Sequence, residues 1–311
     1  MSVAKHVGTL ESSLERRAMK SWKGRVQRRL KSLVSGRRGN LVALHITERG
    51  RRLNAFCPDD EVFTLSRELL LDRVYERGGF ALDADIKTVV DAGAHAGIFS
   101  LQASQWAHQV VAIEASKLNF DLLTLNIDRN AIENIDARNR ALWSSSGDML
   151  SLVGIGNSGC GRVYDEPRSD VAGKTVESLS LDDLIAEIGP IDLLKIDIEG
   201  AEYRTINACT KLSSISTIVG EMHLENKGDS RLLESLIAKL KGVGFTVSVF
   251  TEKELYSRDS LTRLRKNSGS LQGSRLIKAL VAAYYMAPIQ KPLRPRGATY
   301  ELPILVAKQK G

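Results

Sequence analysis

Residues 89–101 read VVDAGAHAGIFSL: an apolar run, then Asp91, then Gly93 and Gly97 on either side of Ala94, His95 and Ala96, then an apolar stretch at helical spacing. A turn of this kind between a strand and a helix carries few side chains. Its backbone can therefore approach a ligand closely, and the first turn of the helix offers N–H groups that have no partner within it. The spacing is Gly-x-x-x-Gly, not the Gly-x-Gly-x-x-Gly of a dinucleotide site. Asp91 at its mouth repels phosphate and attracts a cation such as an ammonium. Glu114 ends the next apolar run, where an acid at the crevice edge accepts hydrogen bonds from ribose hydroxyls.

A ligand with a ribose at one end and a cationic amino acid at the other satisfies both acids, and S-adenosylmethionine has that form. A second constellation follows. IDLLKID delivers Asp197 to a strand end and STIVGEMH delivers His223 to the neighbouring one, at the edge where open α/β sheets bind ligands. An acceptor that takes a methyl group in exchange for a proton must lose that proton, and His223 or Asp197 is placed to take it. Asp197 has a second reading, as the cap of the helix beginning at EGAE. Asp197, Glu199, Glu202 and His223 also have the ligand types for Mg²⁺, Mn²⁺ or Zn²⁺. Their spacing fixes no geometry, and no metal is assigned. Lys195 shares a strand face with Asp197 and needs a buried acidic partner, for which Glu221 is the candidate. Cys160 sits in GNSGCG with no base near it and is not assigned as a nucleophile.

The elements that must position these groups alternate along the chain. Apolar strand-like runs at 88–91, 110–114, 135–141, 191–197, 215–222 and 244–250 are mostly separated by helical stretches, which argues for a mainly parallel sheet covered on both faces. PILVAK at 303–308 has no crossover helix directly before it and can enter antiparallel. Upstream, LVALHI and RLNAFC read as a hairpin, and residues 61–79 as a helix closed by Gly78 and Gly79. Domain organisation follows: a basic amphipathic helical arm over 1–40, the hairpin and helix over 41–87, and an α/β domain over 88–311 with a helical insertion at 251–301.

Charge is uneven along these 311 residues. The chain carries +7, but residues 1–40 hold eleven Lys/Arg against two Glu, so the remainder is slightly acidic. The basic pI describes an arm and gives no ground for nucleic-acid binding. The arm reads as a helix docked on its own domain or as a contact for an anionic membrane surface or acidic partner. Three scattered cysteines and the lack of a secretory pattern at the start point to a reducing, cytoplasmic setting, with a peripheral position at the inner membrane surface as the variant the arm allows.

VVDAGAHAGIFSL, VAIEASKLNFDLLTLNI, NRALWSSSG, GNSGCG, VESLSLDDL, IDLLKIDIEGAEYRTINAC and IVGEMH occur in the order seen in the FkbM family of S-adenosylmethionine-dependent methyltransferases, which the chain resembles over about residues 40–250. The resemblance implies a Rossmann-like class I fold, a seven-stranded sheet whose last strand is antiparallel. It also implies methylation of a hydroxyl on a saccharide, glycolipid or secondary metabolite. Carried over residue by residue, it makes Asp91, Gly93, Ala94, His95 and Gly97 the methionine-side loop and Glu114 the ribose acid. Asn119 joins the adenosine pocket, and Asn126 supports the pocket or braces its helix. His95 stands where the family usually has Asn, and Ala115 where Pro often follows the acid. The expected acceptor is a small molecule or glycan, anionic if the basic arm and the insertion select it. The competing readings are an NAD-dependent oxidoreductase and a non-catalytic interaction protein on a methyltransferase fold.

Overall fold

A computed structural model describes residues 41–58, 61, 65, 69, 75, 86–153, 161–165, 175–223, 230–250 and 304–309. The arm, the insertion, Cys160 and most of the predicted helix at 61–79 lie outside the described residues. Strands β1 (Leu41–Glu48) and β2 (Arg51–Pro58) pair antiparallel over their whole length. Arg49 (φ 45°) and Gly50 (φ 79°) connect them, both in the left-handed region that a two-residue hairpin turn of this twist requires.

From residue 86 the order is β3 (Ile86–Ala92), α1 (Ile98–Ala103), β4 (Ala107–Ile113), α2 (Lys117–Asn130), β5 (Ile135–Arg138), β6 (Ala141–Trp143), β7 (Met149–Val153), β8 (Arg162–Tyr164) and β9 (Thr175–Ser180). It continues through α3 (Leu181–Ile188), β10 (Ile191–Ile196), α4 (Glu202–Ala208), β11 (Ile215–Glu221), α5 (Ser230–Gly242), β12 (Phe245–Phe250) and β13 (Ile304–Gln309). The main sheet has seven strands in the order β12-β13-β11-β10-β3-β4-β5. Five of them, β11 through β5, pair parallel, and β13 runs antiparallel between β11 and β12. This is the expected class I, Rossmann-like arrangement with its reversed last strand. The strand order turns back between β3 and β10, the switch point at which such sheets hold ligands.

The central strands are buried on both faces, as their unbroken apolar runs require. One apolar cluster joins the hairpin residues Leu44, Ile46 and Leu53 to Leu101 of α1 and Leu122, Leu123 and Leu125 of α2. A second fills the opposite face beneath α3, α4 and α5.

The strand expected over 135–141 ends at Arg138. Asn139 donates from Nδ2 to the carbonyls of Glu114 and Ala115 (2.8 and 3.0 Å), which bends the chain off the sheet and into β6. There a four-stranded mixed sheet forms, in the order β6-β9-β7-β8, of which only Ala141 at the start of β6 fell within a run marked as strand. Among the described residues no helix is long and apolar enough to cross a membrane.

Asn126 and Asn130, one turn apart on α2, hold the edge of β2. The Asn126 amide accepts from Phe56 N (2.7 Å) and donates to Phe56 O (2.8 Å), and Asn130 makes the same pair of bonds with Asn54 (2.7 and 2.8 Å). Two side-chain amides thus stand in for a missing strand partner and satisfy backbone groups that would otherwise be left open.

Candidate active site

Asp91 is the penultimate residue of β3 and is fully buried. Ser100 Oγ of α1 donates to its Oδ2 (2.5 Å), and Lys195 Nζ lies 3.2 Å from its Oδ1. A cation, Lys195, thus already lies beside Asp91, where the sequence reading placed a ligand ammonium. The nearest buried acidic partner of Lys195, for which Glu221 was the candidate, is Asp91, directly across from it in the sheet register, and Glu221 adds its charge. Lys195 is itself buried. It donates to the carbonyl of Gly93 (2.9 Å) and lies 3.9 Å from Asp197 Oδ2. Burial opposes its charge, but Asp91 and Asp197 outweigh that and raise its pKa.

The loop that follows is fixed from several sides. Gly93 N and Ala94 N donate to Ile113 O (2.9 and 3.0 Å), and Gly97 N donates to Ala94 O (2.7 Å). Gly93 has φ 77°, and a Cβ there would fall 1.7 Å from the carbonyl oxygen of Asp197. The tips of β3 and β10 thus touch through bare backbone. His95 also has a positive φ, 53°, and its Nε2 lies 2.7 Å from Glu61 Oε2, so its imidazole is tied to the segment before the sheet. Ala96 O accepts from Asn126 Nδ2 (2.8 Å). Asn126 therefore braces both hairpin and loop, which answers the question its sequence position left open.

Glu114 lies beyond the end of β4 and is 7% exposed. Its Oε2 accepts from His95 N and its Oε1 from Ser116 N, both at 2.8 Å. Each oxygen keeps a second lone pair for a further donor, which is what a ribose diol supplies. Burial raises its pKa, opposed by the charge of His95 and the two backbone bonds. Asn119 is buried in the first turn of α2, where its N–H is capped by Ser116 Oγ (3.5 Å).

Across the switch point, residues after β10 turn sharply through Glu199 (φ 56°) and Gly200 (φ 105°). The N-cap position of α4 is Ala201, with no side-chain cap, so Asp197 does not cap this helix. The Glu202 carboxylate is fully buried and accepts from Ile198 N (2.9 Å) and Gly200 N (3.0 Å). Asp197 instead accepts from Tyr75 Oη at 2.8 Å. His223, just past β11, lies with Nδ1 2.9 Å from Glu202 Oε1 and Nε2 3.3 Å from Glu199 Oε2. Burial disfavours the charged ring, but the hydrogen bond and charge of Glu202, with Asp197 and Glu199, push its pKa up to about 10. At neutral pH His223 is an imidazolium, a group that steadies negative charge.

A stability consequence follows from that charge. The folded pKa lies above the unfolded value of about 6.5, so the contribution is complete below that pH and is lost as pH rises toward 10. The urea midpoint of the wild-type chain is expected to fall across this window, and the fall to flatten in His223→Gln. Equal slopes in the two would contradict the pairing.

Donor atoms of Asp197, Glu221 and His223 lie within 4.8 Å of one another, but a metal there would have to displace the proton of His223, since only the neutral imidazole is a ligand. Glu202, included in the set read from sequence, is committed to the imidazole and the backbone instead. Tyr75, Ser100 and Glu61 were not singled out from the sequence. Nothing in their spacing marks them, since each meets the site only through the fold.

A doubly wound sheet with this strand order, a glycine loop on its central strand and acids at the tips on both sides defines a class I methyltransferase frame. The model of the methyltransferase FkbM domain matches residues 91–247, half of the chain, and the chain belongs to that family. No curated protein sequence matches it. Solved structures that it resembles include a putative methyltransferase from Streptococcus mutans in complex with SAH, at 10% identity and TM-score 0.39, covering 79% of this chain and 96% of that one. A putative transferase from Pyrococcus horikoshii is 13% identical with TM-score 0.43, covering 87% and 73%. The plantazolicin methyltransferase BpumL in complex with SAH is 10% identical with TM-score 0.40, covering 81% and 87%.

Proposed function

We propose that the protein transfers a methyl group from S-adenosylmethionine to a hydroxyl of a saccharide, glycolipid or secondary metabolite. The observation that carries this reading is the pairing of two features on adjoining strand tips. Glu114 holds a loop poor in side chains while keeping acceptor capacity toward it, and Asp197 and His223 stand across the switch point with Glu199 and Glu221. The residues fit the donor chemically: Glu114 suits the ribose diol, the loop of Gly93, Ala94, His95 and Gly97 lets backbone approach the amino-acid part, and buried Asn119 flanks the adenosine side.

The donor supplies an electrophilic methyl on a sulfonium. The acceptor oxygen attacks in line, a new C–O bond forms, and the old C–S bond breaks with its electron pair left on sulfur. The hydroxyl proton passes to a carboxylate of the cluster at the β10 and β11 tips, where imidazolium His223 steadies the developing negative charge. Alignment of oxygen and methyl is the larger contribution, about 7–11 kcal/mol in favourable systems. An anionic acceptor fits the basic segments 1–40 and 251–301 noted in the sequence.

Incubation of the full chain with methyl-labelled S-adenosylmethionine and glycan or lipid extracts tests the reading. Label is expected in a hydroxyl-bearing product, with transfer reduced by about 100-fold or more in Glu114→Ala. Equal transfer by the variant would overturn the ribose assignment, and label found on nitrogen or carbon would overturn the acceptor class.

A further inference from the structure

We infer that Asp197, and not Asp91, is the carboxylate that binds the ammonium group of the methyl donor. The inference rests on the reading of this crevice as the donor pocket. It starts from the acids that border the loop. Asp91 is fully buried, and its two oxygens already face Ser100 Oγ at 2.5 Å and Lys195 Nζ at 3.2 Å. Both Asp91 and Lys195 are buried, with the lysine cation already seated on the acid. Glu114 faces the loop from the β4 side, where it meets the ribose.

Sheet order then decides where the other end of the donor lies. β3 sits between β4 and β10, and strands are about 4.8 Å apart, so the tips of β4 and β10 are separated by about 10 Å across the loop. A ligand whose ribose is read at the β4 tip and whose sulfur crosses the glycine loop brings its amino-acid end to the β10 tip. There the carboxylate of Asp197 is one-quarter exposed. Its backbone is the surface against which Gly93 packs without a side chain, and Lys195 Nζ touches both the Gly93 carbonyl and, more distantly, Asp197. Tyr75 Oη holds Oδ2 at 2.8 Å, which fixes the carboxylate and leaves Oδ1 for the ammonium.

Charge supports the same placement. Two cations, Lys195 and His223, lie among four carboxylates, Asp91, Asp197, Glu199 and Glu202, an excess of acids beside the loop that is complementary to a donor carrying both a sulfonium and an ammonium. Asp197 becomes a donor-binding residue, and the acceptor's proton falls to the other carboxylates of the cluster.

The test needs no acceptor. Calorimetric titration compares S-adenosylhomocysteine, which has the ammonium, with methylthioadenosine, which lacks the whole amino-acid part. Asp197→Asn, isosteric and able to accept from Tyr75, is expected to weaken S-adenosylhomocysteine by about 10- to 100-fold and to leave methylthioadenosine within about twofold. Asp197→Glu is expected to recover part of the loss. On the wild-type chain, the deaminated analogue of S-adenosylhomocysteine is expected to bind as weakly as the natural ligand binds to Asp197→Asn, and that arm requires no variant to fold. Parallel loss of both ligands, unchanged affinity for both, or full affinity for the deaminated analogue overturns the inference. Failure of the wild-type chain to bind either nucleoside would instead remove the donor pocket itself.

Discussion

Gly93→Ala is expected to destroy donor binding and to destabilise the fold by about 3 kcal/mol or more. Two causes add. The residue has φ 77°, a conformation that costs an L-residue about 1–2 kcal/mol. The new Cβ would also lie 1.7 Å from the Asp197 carbonyl oxygen and 2.8 Å from its carbon, both backbone atoms in the register-locked ends of β3 and β10. Neither can yield without parting the two strand tips that enclose the switch point. Gly50→Ala separates the causes, because Gly50 has φ 79° and open space where its Cβ would be. That variant is expected to lose only the conformational part and to keep its ligand affinity. Urea denaturation with calorimetric titration of S-adenosylhomocysteine checks both. Similar behaviour of the two variants would show that the close approach at Gly93 does not matter.

Lys195→Met is expected to cost about 3–5 kcal/mol, because it leaves the Asp91 carboxylate buried with no cation. The midpoint of thermal unfolding should fall by on the order of 10 °C. The loss has a second part, since the Lys195 ammonium also holds the Gly93 carbonyl at 2.9 Å. The double variant Lys195→Met with Asp91→Asn removes the stranded charge and is expected to recover more than half of the stability while leaving the loop unsupported and ligand affinity low. If the single substitution is neutral, the buried pair does not organise the site. If the double variant is no more stable than the single one, the cost does not come from the unpaired acid.

These two residues also show what the sequence could and could not reveal. The parallel frame was legible because buried strands of such a sheet are apolar on both faces and are spaced by helices, and β3, β4, β10, β11, β12 and β13 fall where the runs placed them. The third outer strand was drawn too long because an apolar run does not report that Asn139 leaves it to bind the Glu114 and Ala115 carbonyls. The small sheet of β6 to β9 escaped notice because its strands are only three to six residues long and stand apart from the strand–helix alternation of the main sheet. Toward the candidate site, motif spacing pointed to Glu114, the loop, Asp197 and His223, which the structure gathers at neighbouring strand tips, since strand ends and glycines mark themselves. It named Glu221 for Lys195 and missed the nearer Asp91, because alternation gives the face of a side chain and not the neighbour across from it. Only the register, which sets Lys195 opposite Asp91, settles that. Tyr75 reaches Asp197 from 122 positions away, a distance no local pattern spans.

The glycine loop and the acids on either side of it stand or fall as a nucleoside-binding crevice, and calorimetric titration of the full chain with S-adenosylhomocysteine measures that most directly. One saturable site per chain is expected, weakened by about tenfold or more in Glu114→Ala. Absence of binding to the folded wild-type chain, or binding of NAD in its place, would contradict it.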